Sequence, residues 1–549
     1  MICSANMPNI QENNPKLGVM VDCSRNSVMN VEALRSLIPV LSKIGYTTLM
    51  LYTEDTYEVN GEPYFGYLRG RYSKAELKEI DRIAADSGVE LVPCIQTLAH
   101  LRGIFRWKEY AGIRDTADIL LADDERTYEL IEHIFETLAE CFTSRRVNIG
   151  MDEAHALGSG KYREFHGEVP RAEIMLKHLK RVNEIANKYG FNCSMWSDMF
   201  FYAAFGGTNF SDKEEEIPKE IADNIPDNVT LIYWDYYSLD EENYAANIRS
   251  HLKLTDRLTF AGGVWSWVGL TPLNYYGIRA AKAAMAACRK NGVNEIFTTV
   301  WGDGGGSCSP FSVLPALVHT AEYAKGNFDE KSIKRKFYEA VGVRYDDFIA
   351  LDLPNFLSAD QDETVKCNAA KYLLYNDFLT GVNDRAIKEG VGEIYADHAR
   401  RLKKTEKHPE YGFIFKTLRL LCECLYYKAD FGIVARKLYA AGDKAGMREF
   451  IEKRCRPLKK KLERFYEAIR DYWYRLYKPY GFEVTDIRLG GLIYRLDDVT
   501  RRLIDYLDGK VSSVPELEEP ILGDGKEPCR ENELLLQNTW GAIVTLNLL

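Results

Sequence analysis

Residues 17–52 read LGVMVDCSRNSVMNVEALRSLIPVLSKIGYTTLMLY. The two ends of this segment, 17–23 and 46–52, are short runs that are apolar on both faces, as strands buried in a parallel sheet must be. Between them the apolar residues of VEALRSLIPVLSKIG recur at helical spacing. The segment therefore predicts one strand-helix-strand unit.

The same alternation continues through the first three hundred residues. Six more apolar runs follow, each separated from the next by helical patterns such as the one from Ser73 to Gly88: VELVPCIQ (89–96), RVNIGMDE (146–153), FNCSMWSD (191–198), VTLIYWDYY (229–237), LTFAGGVWSW (258–267) and NEIFTTVWGD (294–303). Eight such units predict a (β/α)8 TIM barrel. An open doubly wound sheet is the main alternative, but it would carry a glycine-rich first turn, and VDCSRN is not one.

The pattern changes after about residue 325. Long stretches with apolar residues at i, i+3 and i+4 predict an all-helical region, while the apolar NTWGAIVTLNLL near the end could be a strand or a packed tail. We therefore expect an N-terminal tail (1–15), a catalytic α/β barrel (16–325) and a helical C-terminal domain (326–549).

Composition excludes several classes of protein. The net charge of −10 argues against a nucleic-acid partner, which needs a basic face. The chain starts without a cationic and apolar leader, and it contains no run of eighteen apolar residues, so neither secretion nor a membrane span is expected. The 12 cysteines are scattered, which fits a reducing cytoplasm and favours no metal site.

Polar and aromatic residues gather where the apolar runs end. In a barrel the carboxyl ends of the strands carry the active site. Acids, an arginine and tryptophans at nearly every strand end predict a pocket for a polar, ring-shaped ligand such as a sugar: Asp22 and Arg25, Glu54 and Asp55, Gln96 and His100, Asp152 and Glu153, Trp196 and Asp198, Trp234 to Tyr237, Trp265 and Trp267, and Trp301 and Asp303.

One Asp-Glu pair differs from the other four in the chain. Only Asp152-Glu153 ends an apolar strand, where burying two acids would be costly without a purpose. Neighbouring acids in a low-dielectric cleft have pKa values that are pushed apart, which suits glycosidase-like acid/base chemistry. A metal site is the alternative, although His100 and His155 are the only histidines near enough in sequence to contribute.

Several of these strand ends together resemble glycoside hydrolase family 20, the exo-acting β-N-acetylhexosaminidases. The resemblance spans about residues 17–310 and rests on VDCSRN, PCIQTLAHL, IGMDEAHALGSGKY, MWSDMF, YWDYY and TVWGDGG, in that order. It is closest to the subgroup that begins directly with the barrel. The implied reaction is hydrolysis of terminal β-GlcNAc or β-GalNAc with retention, in which the substrate's own acetamide oxygen attacks and forms an oxazolinium intermediate.

The resemblance also implies roles for individual residues. Glu153 would be the general acid and then the general base, Asp152 would balance the charge on the acetamide, and a tyrosine would bind the acetamide oxygen. We favour Tyr236, which shares strand parity with Trp234, over Tyr233. The remaining substrate-binding candidates are Arg25, Asp55, His100, Trp196, Trp234, Tyr233, Trp265, Trp301 and Asp303.

Some interpretations stay open at this stage. Arg25 could pair structurally with Asp22, His100 could be a core histidine, and Trp265 could serve packing alone.

Gln96 and Asn148 stand where many family members have an Asp and a His. The alternative functions are a retaining glycosidase whose nucleophile is Asp303 or Asp198, and a non-catalytic sugar-binding barrel.

The expected partners are N-acetylhexosamine-terminated glycans or glycoconjugates, with no cofactor, no metal, no nucleic acid and no membrane. The choice between GlcNAc and GalNAc, the linkage and a homodimeric state are left open.

Overall fold

The computed structural model describes residues 14–206, 213–358, 366, 368–521, 540–545 and 547. Eight parallel strands form a closed barrel in chain order. Pairing of the first strand with the eighth closes the sheet, which confirms the TIM barrel and excludes the open sheet. The strands are β1 (Lys16–Asp22), β2 (Thr48–Tyr52), β3 (Glu90–Cys94), β4 (Arg146–Asn148), β5 (Asn192–Trp196), β6 (Thr230–Trp234), β7 (Leu258–Gly263) and β8 (Glu295–Val300).

Helices connect these strands on the outside of the barrel. The second of them begins after Ser73, where the sequence pattern predicts its start, and the Ser73 side chain accepts the Glu76 N–H in a capping box. The barrel helices are α1 (Val31–Ile44), α2 (Lys74–Asp86), α3 (Glu125–Cys141), α4 (Lys161–His166), α5 (Arg171–Lys188), α6 (Asp198–Phe205), α7 (Lys219–Ala222), α8 (Glu241–Leu252), α9 (Asn274–Lys290) and α10 (Leu314–Ala324).

The strands are buried on both faces, and successive residues alternate between two apolar clusters. On β2, for example, Leu49 and Leu51 pack under the helices, whereas Met50 and Tyr52 belong to a separate cluster inside the barrel. Side chains of the interior set at the carboxyl ends of the strands therefore point toward the mouth of the barrel.

The described residues after α10 are mainly helical, as predicted. The proposed boundary at 325 directly follows the end of α10, and of the proposed tail 1–15 only residues 14 and 15 are described. The helices are α11 (Glu330–Val341), α12 (Tyr345–Phe348), α13 (Ala369–Tyr375), α14 (Gly392–Leu402), α15 (Gly412–Lys428), α16 (Phe431–Ala440), α17 (Lys444–Phe450), α18 (Arg456–Leu476), α19 (Phe482–Leu507), α20 (Pro515–Glu518) and α21 (Trp540–Val544). The last of these shows that the strand considered for the C-terminal segment is wrong over its described part.

The helical region docks on the barrel through the connection between α18 and α19. The N–H of Asn30 donates to the Leu476 carbonyl at 3.0 Å, and the N–H of Lys478 donates to the Val28 carbonyl at 2.8 Å. The Asn26 amide donates to the Gly481 carbonyl at 2.8 Å. These hydrogen bonds join the C-terminal helices to the loop after β1, which carries Arg25.

None of the described helices combines the length and apolarity that a membrane span requires.

The docking contacts predict that one buried tyrosine of α18 matters for the whole fold. Tyr472 is 4% exposed, and its hydroxyl donates to the Ser307 carbonyl in the loop after β8. Removing a buried aromatic ring costs about 3–5 kcal/mol, so Tyr472→Ala should lower the free energy of urea unfolding by that amount. The matched control is Tyr494→Ala on α19, where the ring is 73% exposed and the loss should stay near 0.5 kcal/mol. Equal losses of unfolding free energy in the two variants would contradict the prediction that Tyr472 stabilises the contact between the barrel and the helical region.

Candidate active site

A cleft of about 440 Å³ opens at the carboxyl ends of the strands. Its walls bring together side chains from Arg25 to Asn368, which lie far apart in the sequence. Most of the residues expected at the site line it: Arg25, Asp152, Glu153, Trp196, Trp234, Tyr236, Trp265, Trp301 and Asp303.

The turn after β4 explains how two adjacent acids face one cleft. In a strand they would point to opposite faces. Here Gly150, Met151 and Glu153 have φ values of 75°, 72° and 50°, so the chain leaves the pleat through left-handed conformations. Such conformations are strained for residues other than glycine and occur where surrounding contacts impose them.

Gln96 supplies the contacts that hold this turn. Its amide nitrogen donates to Oδ1 of Asp152 at 2.7 Å, and its amide oxygen accepts the N–H of Met151 at 3.1 Å. The side-chain oxygen of Asn148 accepts a further hydrogen bond from the N–H of Gly150. The two residues that depart from the family pattern in sequence therefore fix the backbone and the carboxylate of Asp152.

His100 lies against both acids. Its Nε2 atom is 3.3 Å from Oδ2 of Asp152 and 3.6 Å from Oε2 of Glu153. Burial lowers the pKa of His100, but the attraction of Asp152 outweighs it and raises the pKa to about 9. The imidazole is therefore positively charged at neutral pH, and it is a partner of the acids, not a neutral core histidine.

The pKa values of the two acids diverge. Burial acts to raise the pKa of Asp152, yet the His100 charge overcomes it and the pKa ends below its usual value. Burial and the neighbouring Asp152 charge both raise the pKa of Glu153. The Glu153 side chain is also 44% exposed, whereas that of Asp152 is 10% exposed. One acid is thus a fixed anion, and the other can carry a proton and reach a ligand.

Asp198 supports the same turn from β5. Its carboxylate accepts the N–H of Glu153 at 2.9 Å and the indole N–H of Trp234 at 3.3 Å. It is 1% exposed, and burial, followed by the Asp152 charge, raises its pKa to about 7. With both oxygens engaged, Asp198 is placed to orient its neighbours and not to attack a substrate.

Arg25 lies at another part of the cleft wall. It pairs with Asp22 at 3.0 Å, as the structural alternative expects, but it also faces Glu54 at 3.6 Å and Asp303 at 4.0 Å. Its guanidinium stacks over the Trp301 ring at 4.9 Å from the centroid. Burial is the main cause that raises the pKa of Glu54 to about 7. This group of charges can bind several hydroxyls at once.

Aromatic rings form the remaining walls. Tyr236 and Trp234 stack with centroids 5.6 Å apart, and Trp196 lies 6.1 Å from Trp301. Trp265 both lines the cleft and donates its indole N–H to the Tyr236 carbonyl, so packing and binding are not alternatives for this residue. Flat rings around charged groups are the arrangement that a sugar ring requires.

Two expected residues lie elsewhere. Tyr233 is fully buried on the outer side of β6, where its hydroxyl donates to Asp235 at 3.1 Å. Its placement as a substrate-binding residue is wrong, because strand parity turns it away from the cleft that Trp234 and Tyr236 face. Asp55 does not line the cleft either; its carboxylate accepts a bond from Arg69 at 3.2 Å. The acid that faces Arg25 from this loop is its neighbour Glu54.

The cleft contains residues that sequence reasoning did not select. Tyr237 belongs to the strand-end residues that predict the pocket, but no individual role was assigned to it. Lys366 and Asn368 come from the helical region and also line the cleft. No periodicity or motif links these two residues to the barrel, so sequence alone offers no signal for them.

Two family models match the chain. The glycosyl hydrolase family 20 catalytic domain matches residues 17–251, and the Glycoside Hydrolase 20C C-terminal domain matches residues 346–533.

The chain belongs to glycoside hydrolase family 20.

Relatives within the family are distant. Hexosaminidase D of Bos taurus is 24% identical over 252 residues, which are 43% of this chain and 65% of that protein. Hexosaminidase D of Homo sapiens is 22% identical over 217 residues, which are 38% of this chain and 42% of that protein. The chain thus spans less than two thirds of the length of either relative.

Two solved structures of family 20 enzymes match part of the chain. An exo β-N-acetylglucosaminidase from Vibrio harveyi is 17% identical with a TM-score of 0.45, covering 60% of this chain and 58% of that one. A β-N-acetylhexosaminidase from Streptomyces coelicolor is 18% identical with a TM-score of 0.44, covering 59% and 69% respectively.

The pairing of His100 with Asp152 predicts a pH-dependent contribution to stability. The folded pKa of about 9 lies above the ordinary value of 6.5, so the stabilisation is complete below pH 6.5 and disappears as the pH rises through 9. We therefore compare the unfolding free energy of wild type with that of His100→Gln at two pH values. The advantage of wild type should be roughly 2–3 kcal/mol larger at pH 6 than at pH 9.5. Urea unfolding at both pH values measures this.

The exposed His166 on α4 provides the control. His166→Gln should differ from wild type equally at the two pH values. A His100→Gln difference that does not change with pH, or that grows as the pH rises, would contradict the charged pairing.

Proposed function

We propose that this chain is an exo-acting, retaining β-N-acetylhexosaminidase that removes terminal β-GlcNAc or β-GalNAc from glycans or glycoconjugates. The observation that carries the proposal is the pair Asp152 and Glu153, whose pKa values diverge at one wall of an aromatic cleft. A module that only binds sugar has no need for an anion and a proton donor side by side, which argues against the non-catalytic alternative.

Glu153 is the residue suited to proton transfer. Its raised pKa favours the protonated form, and its partly exposed side chain can reach the glycosidic oxygen of a bound sugar. After the aglycone leaves, the same carboxylate can take a proton from an incoming water. The backbone N–H of Glu153 donates to Asp198, and this bond fixes the backbone from which the Glu153 side chain extends.

Asp152 is suited to charge stabilisation instead. Its carboxylate is ionised, buried, and fixed by Gln96 and His100. In the proposed reaction the acetamide oxygen of the substrate attacks the anomeric carbon, and positive charge develops on the acetamide nitrogen. An oriented anion in a dry cleft stabilises that charge without reorganising during the step.

The aromatic residues complete the proposed acetamide pocket. Trp196, Trp234 and Trp301 enclose it, and Tyr236 is the proposed donor to the acetamide oxygen. Burial is the first cause that raises the pKa of Tyr236 well above 10, so its hydroxyl remains a proton donor over the working pH range. Arg25 and Asp303 are proposed to bind hydroxyls of the same ring.

Substituting the two acids should give different kinetic patterns. Glu153→Gln should lower kcat/KM about 10²–10⁴-fold for substrates with poor leaving groups, and less for activated aryl glycosides that need little protonation. Asp152→Asn should slow every substrate by about 10²–10³-fold, because charge stabilisation is lost whatever the leaving group. Rates on a series of aryl N-acetyl-β-glucosaminides measure both.

The control is Glu125→Gln, the same change in the Asp124-Glu125 pair, where the glutamate side chain is 76% exposed. Its rates should match wild type. A stable thiazoline mimic of the oxazoline should inhibit wild type strongly and Asp152→Asn weakly. A glycosyl adduct trapped on Asp303 or Asp198 by a 2-fluoro sugar would instead establish an enzyme nucleophile.

A metal-dependent hydrolase is the second candidate, and one observation favours it. Ligand atoms of His100, Asp152 and Glu153 lie within 4.8 Å of one another, close enough to coordinate one ion. The charge of His100 opposes this candidate, since a metal ligand must be a neutral imidazole.

Chelation separates the two candidates. The proposed mechanism uses no metal, so exhaustive dialysis against EDTA should leave kcat/KM unchanged within about twofold, with the same result after Zn²⁺ or Mg²⁺ is added back. Loss of activity in EDTA that a divalent cation restores would favour the metal-dependent reaction.

A further inference from the structure

Asn368 belongs to the helical region, directly before α13, yet it lines the catalytic cleft. It is 3% exposed. Its side-chain nitrogen donates to the backbone carbonyl of Val268, in the loop after β7. This bond determines which end of the amide is nitrogen, because a carbonyl can only accept.

The other end of the amide, Oδ1 of Asn368, has no hydrogen-bond partner among the residues that the structure describes. Buried polar atoms of side chains nearly always have one, so each exception requires an explanation. Here the residue lines a cleft whose proposed ligand carries several hydroxyl groups. A sugar hydroxyl is the complementary donor.

We propose that Oδ1 of Asn368 accepts a hydrogen bond from a hydroxyl of the sugar in the cleft, so that the helical region forms part of the sugar-binding site. The inference rests on the proposed function and adds a residue that determines which sugars are accepted.

The surroundings of Asn368 indicate which hydroxyl it meets. A Cβ atom placed on Gly269 would lie 3.6 Å from Cβ of Asn368 and 3.2 Å from Cβ of Lys371, and one placed on Gly304 would lie 3.7 Å from N of Gly269. Asn368 is therefore close to the segment that begins at Asp303. Because Asp303 is proposed to bind hydroxyls of the sugar ring, we assign the partner of Asn368 to the hydroxyl on C4 or on C6.

The position of Asn368 is fixed on both sides. The ammonium group of Lys366 lies 5.4 Å from the ring centroid of Tyr237 and 5.7 Å from that of Trp265. On the other side, every residue of α13 is buried. An acceptor that is held in place before the ligand arrives loses little entropy on binding, which suits a residue that selects among sugars.

Kinetics with deoxy sugars test the contact directly. The experiment compares kcat/KM of wild type and Asn368→Ala on an aryl N-acetyl-β-glucosaminide and on its 4-deoxy and 6-deoxy analogues. In wild type, loss of the recognised hydroxyl should reduce kcat/KM about tenfold, since it leaves the buried oxygen unpaired. In Asn368→Ala the parent substrate should fall by a similar factor, and the penalty for that one deoxy analogue should shrink to less than about twofold.

If Asn368→Ala removes the kcat/KM penalty for one deoxy analogue, the result supports the proposed hydrogen bond and identifies its hydroxyl. If the penalties for both analogues stay as in wild type, the proposal is overturned. Asn376→Ala is the control, since Asn376 is also 3% exposed in the helical region but bonds to Asp384 and Asn383 away from the cleft. It should leave both penalties as in wild type.

A structural measurement keeps the test open if Asn368→Ala does not fold. In a crystal structure of wild type with N-acetylglucosamine, the C4 or C6 hydroxyl oxygen should lie about 2.5–3.0 Å from Oδ1 of Asn368. A separation beyond roughly 4 Å for both would overturn the inference. If wild type hydrolyses no N-acetylhexosaminide, the proposed function itself is overturned. If wild type is active but Asn368→Ala leaves the penalties for the deoxy analogues unchanged, only the role of Asn368 is overturned.

Discussion

The buried carboxylate of Asp152 is the group on which the rest of the site depends. An ionised carboxylate that is removed from water needs a positive partner and hydrogen-bond donors, or it would take up a proton. His100 supplies the charge and Gln96 supplies a donor. The same two residues lie close to the strained turn from Gly150 to Glu153. The charge of this anion adds to the effect of burial, which is the first cause that raises the pKa of the neighbouring Glu153.

The helical region extends this arrangement beyond the barrel. The strands contribute side chains to the cleft only at their carboxyl ends. Loops and added elements must therefore form the outer walls of a cleft at that face. The connection from Leu476 to Gly481 contacts the loop that carries Arg25, and Asn368 contacts the loop after β7. Two of the loops around the cleft are thus supported by residues far along the chain. Residues of the barrel and of the helical region both line the cleft, so the proposed site includes parts of each.

The alternation of side chains along each strand was the most informative signal in the sequence, and it applies only as far as the strand extends. Parity correctly separates Trp234 from Tyr233, because side chains on a strand alternate between the barrel interior and the helices. Parity fails after a strand ends, since loops have no fixed period. Asp55 and Glu54 illustrate this: both follow β2, and only the fold decides that Glu54 faces Arg25.

The sequence by itself determined the eight strands, their order, the helical region that follows them, and most of the residues that line the cleft. These features follow from local periodicity and from the rule that parallel strands end at a common face. Only the tertiary structure decided that His100 is charged, that Gln96 holds Asp152, and that Asn368 reaches the cleft. Each of these depends on distances and burial between segments far apart in the chain, and no local pattern encodes such quantities.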